Sequence, residues 1–174
     1  IGDGELADTA ACVVPLPEVF SHYLQAGRVD VGFLGAAQID RHGNLNSTVI
    51  GPYDRPSTRL PGAGGAPEIA SHARQTFVVM KATPRSFVER LAFRTSAGYL
   101  GGHGERAAGS ARGGGPRAVI TDFGILAPAA DAEELTLSAL YADASVEEAR
   151  AAVGWPLAIA PQIERIAPPT PLEL

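Results

Sequence analysis

Short apolar runs of five to seven residues, each closed by proline, glycine or a polar turn, recur along this chain of 174 residues and constrain its fold more than any other feature. Ala10–Val14, Val29–Leu34, Thr76–Met80, Arg117–Thr121 and Leu135–Tyr141 are too short for buried helices and have the length of strands. Pro15 and Pro17 stop the first of them, because proline cannot donate to a sheet ladder. Between the first two runs, Pro17–Gly27 places Val19, Phe20, Tyr23 and Leu24 at helical spacing and ends on a glycine suited to the C′ position. Strand, helix and strand in this span predict a βαβ unit with a right-handed crossover, and hence an α/β fold with an open, mostly parallel sheet and flanking helices. Phe87–Phe93 alternates apolar and polar residues like a further, half-exposed strand.

The remaining chain reads as turns and loops. Arg41–Asn44 supplies a turn between Ile39 and the β-branched stretch Ser47–Ile50, which predicts a hairpin. Residues 51–67 carry four prolines and four glycines and read as a structured loop. Residues 96–116 hold eight glycines in 21 positions, so little side-chain area is available to fix them, and a long, poorly ordered loop over the domain is expected. Ser145-Val-Glu-Glu148 is a capping box opening a helix that stops by Gly154 and Pro156. From Ala160 onward the proline-rich tail reads as an extended arm.

With 45% hydrophobic and 19% charged residues the chain has the material for a core, and its length suits one domain over 1–174. A net charge of −5 leaves no basic surface for nucleic acid or membrane. Neither a spanning segment nor a signal peptide is visible, so a cytoplasmic protein is expected. The single cysteine, Cys12, has no disulfide partner and falls in an apolar run where a thiol stays protonated. The chain opens at Ile1 without methionine and the first strand is expected by about Thr9, so an N-terminal segment is expected to be missing.

Chemistry is concentrated in two places. Gly62-Ala-Gly-Gly-Ala66 lets backbone approach a ligand and can aim consecutive N–H groups at an anion, just before a helix start at Pro67–Ala70. The same glycines also suit a plain turn, and they match neither a dinucleotide fingerprint nor a P-loop. Gln38, Asp40, Asn44 and Asn46 gather compact polar groups beyond the strand Val29–Leu34, where open α/β sheets bind ligands. Asp40 and Asn44 suit turn backbone, whereas Gln38 and Asn46 have no such local use. His22, His42, His72 and His103 are scattered, which gives no metal motif, and His22 is expected on a helix surface. Glu68 and Asp122 read as cap or turn residues, and no G-x-S-x-G elbow is present.

The stretch Leu34-Gly-Ala-Ala-Gln-Ile-Asp-Arg-His-Gly-Asn-Leu-Asn-Ser-Thr-Val-Ile-Gly51, followed by Arg59-Leu-Pro-Gly-Ala-Gly-Gly-Ala66, resembles the β subunits of family I coenzyme A transferases, with the glutaconate CoA-transferase branch nearest. Thr95–Tyr99, Gly115–Leu126 and Ser145–Arg150 follow in the same order, so the resemblance covers nearly the whole chain. It implies the NagB/RpiA-like CoA-transferase architecture and a subunit active only with an α-type partner. The implied reaction moves coenzyme A between an acyl-CoA and a carboxylic acid of glutaconate or 3-oxoacid type, by ping-pong chemistry through a glutamyl-CoA thioester. Coenzyme A is then a substrate, and no permanently bound cofactor or metal is implied. The nucleophilic glutamate is expected upstream of Ile1. Gly64, Gly65 and Ala66 resemble the loop bordering the reacting carbonyl, and Gln38 and Asn46 the polar residues facing the same cleft. Pro67-Glu68 after the double glycine departs from some members. A CoA-thioester hydrolase or decarboxylase on the same scaffold is the alternative.

Overall fold

The structure is a computed structural model that describes residues 3–109 and 111–173; the expectation concerning Ile1 lies outside them, as do Gly2, Ser110 and Leu174. Helix α1 is Glu5–Thr9, and α2, Leu16–Glu18, runs on as one π-helical stretch, Val19–Leu24. Next come β1 (Val31–Leu34), β2 (Gln38–Ile39), β3 (Leu45–Asn46), β4 (Val49–Ile50), β5 (Thr58–Arg59), α3 (Ala66–His72) and β6 (Gln75–Val79). The second half holds α4 (Glu105–Ala108), β7 (Pro116–Ile120), β8 (Gly124–Pro128), β9 (Leu135–Tyr141), α5 (Val146–Ala152) and β10 (Ala158–Ile166).

Six strands form one sheet in the order β1-β6-β7-β8-β9-β10. β1, β6 and β7 run parallel, β8 is antiparallel to both neighbours, and β10 is parallel to β9. The predicted α/β class with a mostly parallel sheet is what forms. Its core is built from Val78, Val119, Leu126, Leu135, Leu137 and Leu140, continued by Ile39, Phe87 and Trp155. Phe87 and Trp155 stack with centroids 6.0 Å apart.

The parallel crossover lies further along the chain than the sequence suggests. Ala10–Val14 is not a strand: no neighbouring strand pairs with it, and Ala11, Cys12 and Val13 are exposed. The unit that forms is β1, α3, β6, with α3 lying so close to β1 that a Cβ on Gly32 would collide with the Ile69 side chain. The predicted helix after Pro17 is present, and Gly27 closes it at φ +70°, where glycine carries no Cβ penalty.

Phe87–Phe93 does not form a strand either. Ile39 donates to the Ser86 carbonyl and accepts from the Val88 N–H, which flank Phe87 at one isolated bridge, after which the chain bends, so only Phe87 of the alternating set is fully buried. Of the tail expected as an extended arm, Ala160–Ile166 belongs to an edge strand, β10, which tolerates Pro161 because no strand pairs with its outer side among the described residues and its register shifts between Ile159 and Glu164. β8 is the strand the apolar runs conceal. Thr121 Oγ1 donates to the Gly124 carbonyl at 2.7 Å and turns the chain back, and Gly124 is needed because a Cβ there would strike the Ala139 carbonyl. Ser145 and Glu148 form the expected reciprocal cap of α5.

In the glycine-rich segment 96–116 a single side chain makes four of the anchoring bonds. Arg106, on α4, is 3% exposed, and its guanidinium donates to the carbonyls of Gly113 (3.0 Å), Ala97 (3.1 Å), Gly98 (2.7 Å) and Ala70 (2.6 Å). Burial pushes its pKa below the usual guanidinium value, with Tyr99 and Glu133 acting in the opposite sense. The loop expected to be poorly ordered is thereby tied to the last turn of α3. Arg106→Ala should lower the unfolding free energy by about 3–5 kcal/mol in urea titration, since four carbonyls lose a charged donor, and Lys should restore less than half of it.

Candidate functional site

β1, β6 and β7 end side by side at Leu34, Val79 and Ile120, and the segments that leave them build a polar rim at the carboxyl edge of the sheet. From β1 the chain passes directly into the β2–β3 hairpin, where Gln38 pairs with Asn46 and Ile39 with Leu45. This is the predicted hairpin, shorter on its return side than expected, because Val49 and Ile50 pair instead with Arg59 and Thr58.

The hairpin turn is closed by the residues assigned to it. Asp40 accepts from the backbone N–H groups of His42 and Asn44, both at 3.0 Å, and from the Asn44 amide at 2.9 Å. Burial raises the Asp40 pKa above the usual carboxylate value, and the bonds from Asn44 and His42 oppose that shift. Asn44 accepts from Gly98 and Leu100 and donates to the Leu100 carbonyl, so it also fastens the glycine-rich segment to the turn.

Asn46 is fully buried and every part of its amide is engaged. Its Nδ2 donates to Gln38 Oε1 and to the Val49 carbonyl, both at 2.8 Å, while its Oδ1 accepts from Thr48 (3.0 Å) and Val49 (3.3 Å). Asn46 therefore has the local use that the sequence did not reveal. Gln38 Oε1 takes a second bond from the Ala92 N–H, which fixes the amide and leaves Nε2 without an acceptor among the described residues.

The glycine loop is pinned to the same hairpin. Gly62 donates to the Ser47 carbonyl at 2.9 Å, Ser47 Oγ returns a bond to the Gly62 carbonyl at 2.9 Å, and Leu60 donates to Thr48 at 3.0 Å. Thr95 Oγ1 braces this junction against Ser47 N–H and Thr48 Oγ1. Beyond Gly62, Gly64 takes φ +50° and Gly65 takes φ −89° and ψ 0°. Neighbouring residues of opposite φ sense turn successive N–H groups to one side, and neither the Gly64 nor the Gly65 N–H meets an acceptor among the described residues. Ala66 is occupied, donating to the Ala63 carbonyl and starting α3. Phe20 lies behind Gly65, its ring 3.0 Å from where a Cβ would stand.

The other candidates take supporting roles. Glu68 pairs with His72 Nδ1 at 3.1 Å and accepts from Gln25, joining α3 to the π-helical stretch. Asp122 accepts from the Ala82 N–H at 2.8 Å and sets the turn after β6. His22 is exposed, as is Cys12, against the expectation of a buried, inert thiol. Among the described residues no group of three or more His, Cys, Asp or Glu is placed to hold a metal, and no helix is long and apolar enough to cross a membrane. A hollow of about 640 Å³ between Tyr141, Ile166 and Pro168 is larger than the space beside Gln38, but its wall is mostly apolar, it lies at the ends of β9 and β10, and none of the candidate residues lines it. Asn46→Asp should cost about 3 kcal/mol in chemical denaturation, since it sets a carboxylate against Gln38 Oε1 and the Val49 carbonyl, whereas Gln38→Ala should cost about 1 kcal/mol.

Residues 17–151 match the family described as Coenzyme A transferase. The chain is 49% identical over its full length to the B-type subunit of 3-oxoadipate CoA-transferase from Pseudomonas knackmussii, covering 67% of that protein. It is 35% identical over 95% of its length to the B-type subunit of glutaconate CoA-transferase from Acidaminococcus fermentans, covering 64% of it. The crystal structure of glutaconate coenzyme A-transferase from that organism superposes with a TM-score of 0.84 over 94% of this chain and 64% of the other, at 32% identity. The chain thus spans about two thirds of the length of these relatives. With the family matched over most of the sequence and the fold shared, the chain belongs to the coenzyme A transferase family.

Proposed function

We propose that this chain is the β-type part of a heteromeric CoA-transferase, moving coenzyme A between an acyl-CoA and a carboxylic acid of glutaconate or 3-oxoacid type. The observation that carries the reading is the pair of unbonded N–H groups at Gly64 and Gly65, held on a loop anchored by Ser47, Thr48 and Thr95. Donors fixed in advance and aimed where charge develops stabilise an oxyanion without reorganising during the reaction. Each half-reaction passes through two such oxyanions, one when a carboxylate attacks a thioester and one when the thiolate attacks the resulting anhydride.

In this reading a glutamate carboxylate from outside these residues attacks the acyl-CoA carbonyl and expels the CoA thiolate, leaving an acyl-glutamyl anhydride. The thiolate then attacks the glutamyl carbonyl, giving a glutamyl-CoA thioester and releasing the first acid. The acceptor acid repeats both steps in reverse order, and the glutamate is regenerated. Gln38 Nε2 and the Gly64 and Gly65 N–H groups line the β-type side, and Asn46 sets their spacing through Gln38 and the 47–49 backbone. An α-type partner supplies the other wall. The soluble, cytoplasmic setting expected from composition belongs to the same proposal.

A hydrolase or decarboxylase on this scaffold would use the same oxyanion donors, so the order of product release separates them. The full-length chain assembled with its α-type partner should show parallel double-reciprocal plots with an acyl-CoA and a free acid, and no CoA release without acceptor. Gly65→Val should lower kcat by about 100-fold with a smaller change in KM, because it pushes the loop off Phe20 and moves one donor. CoA release that does not need an acceptor acid contradicts transfer.

A further inference from the structure

Beside Gln38 lies a cleft of about 560 Å³ bounded by Ala37, Ile50, Thr58, Val88 and the Thr83–Ser86 turn, which carries Arg85. Its volume is that of a small-molecule site. The lining chemistry is one-sided. Ala37, Ile50 and Val88 give an apolar floor, while Gln38 Nε2, the Thr58 hydroxyl and the Arg85 guanidinium are groups that can donate and have no partner among the described residues. Among the described residues no Asp or Glu lines the cleft, although acidic residues outnumber basic ones, 19 to 14, in the chain.

The Gln38 amide and the backbone of the turn bearing Arg85 are held by internal bonds. Gln38 is held through its Oε1, which accepts from Asn46 and Ala92. The turn bearing Arg85 is closed by Ser86 Oγ, which donates to the Lys81 and Thr83 carbonyls at 2.9 and 3.1 Å, and by the Thr83 N–H donating to that hydroxyl. Thr58 stands on β5, opposite Ile50 of β4, on the strand pair that leads from the hairpin to the glycine loop. Donors around an apolar floor, with no competing carboxylate, suit an aliphatic segment ending in an anionic oxygen group.

We propose that this cleft receives the second carboxylate and the intervening methylenes of a dicarboxylic acyl group, with Arg85 as the residue that sets the preference for a dicarboxylic over a monocarboxylic acid. The proposal rests on the transferase reading for its reaction, not for its binding chemistry. Only one carboxylate of such an acid becomes a thioester, so the other keeps its charge throughout and needs a cation that takes no part in the chemistry.

The test compares glutarate with pentanoate, acids of equal carbon count, as CoA acceptors for the full-length chain assembled with its α-type partner. Arg85→Gln should lower kcat/KM for glutarate at least about tenfold and leave pentanoate within about twofold, with Arg85→Lys recovering part of the loss. Equal losses for both acids, or none for either, overturn the proposal. Calorimetric titration of the same complex with each acid reads the cleft independently of turnover. If glutarate binds more tightly than pentanoate and Arg85→Gln removes the difference while no CoA is transferred, the cleft stands and the transferase reading falls. If transfer proceeds and Arg85→Gln leaves the preference unchanged, the transferase reading stands and the cleft assignment falls.

Discussion

Arg106 directs its whole guanidinium at backbone carbonyls, and the rest of the architecture around the rim depends on bonds of this kind. Segments 35–67 and 95–115 contain little regular structure, so most of their N–H and C=O groups cannot be satisfied in a ladder. Three buried side chains supply the deficit. Arg106 serves four carbonyls, Asn44 serves Gly98 and Leu100, and Asn46 serves Thr48 and Val49. A chain with 20 glycines can bring loops this close because so few Cβ atoms intervene, as where Gly113 and Gly114 pass the carbonyls of Ala73 and Arg74.

These anchors link the two features with chemical content. Ala70, bonded to Arg106, lies in α3, whose first turn begins at the glycine loop, so the far end of that helix is fixed by the same guanidinium that holds segment 96–116. At the near end, Ser47 and Thr48 tie Leu60 and Gly62 to the hairpin bearing Gln38. The free N–H groups of Gly64 and Gly65 and the Gln38 amide thus belong to one connected frame. Preorganisation of this kind is what differential stabilisation of a transition state requires.

Apolar runs that pair with neighbours were readable in the sequence, as Thr76–Met80 and Leu135–Tyr141 show. Ala10–Val14 has the same composition but no strand beside it, and composition carries no information on pairing. β8 was hidden because its GILAP sequence has neither a sharp boundary nor a long apolar run, and its turn is made by the Thr121 hydroxyl. At the site, the local readings of Asp40 and Asn44 agree with the geometry, since both bond within or next to their own turn. Asn46 appeared free because its amide partners Gln38 and Val49 are set by hairpin pairing and loop curvature. Arg85 gave no signal at all: an arginine in a polar turn is ordinary until Gln38, 47 residues earlier, is seen across the same cleft.

The proposed acyl transfer through a carboxylate nucleophile, with this chain as one wall of the pocket, draws its support from family membership, the shared fold and the glycine N–H groups that meet no acceptor among the described residues. Ping-pong chemistry requires coenzyme A to reside on the protein between two acids. Intact-protein mass spectrometry of the full-length chain in complex with its α-type partner, after brief exposure to acyl-CoA, tests this most directly. A covalent adduct equal to coenzyme A minus water, confined to the β-type chain and discharged by a carboxylic acid, is the predicted result. Turnover with no such adduct at any time, and with no acid-dependent discharge, would contradict it.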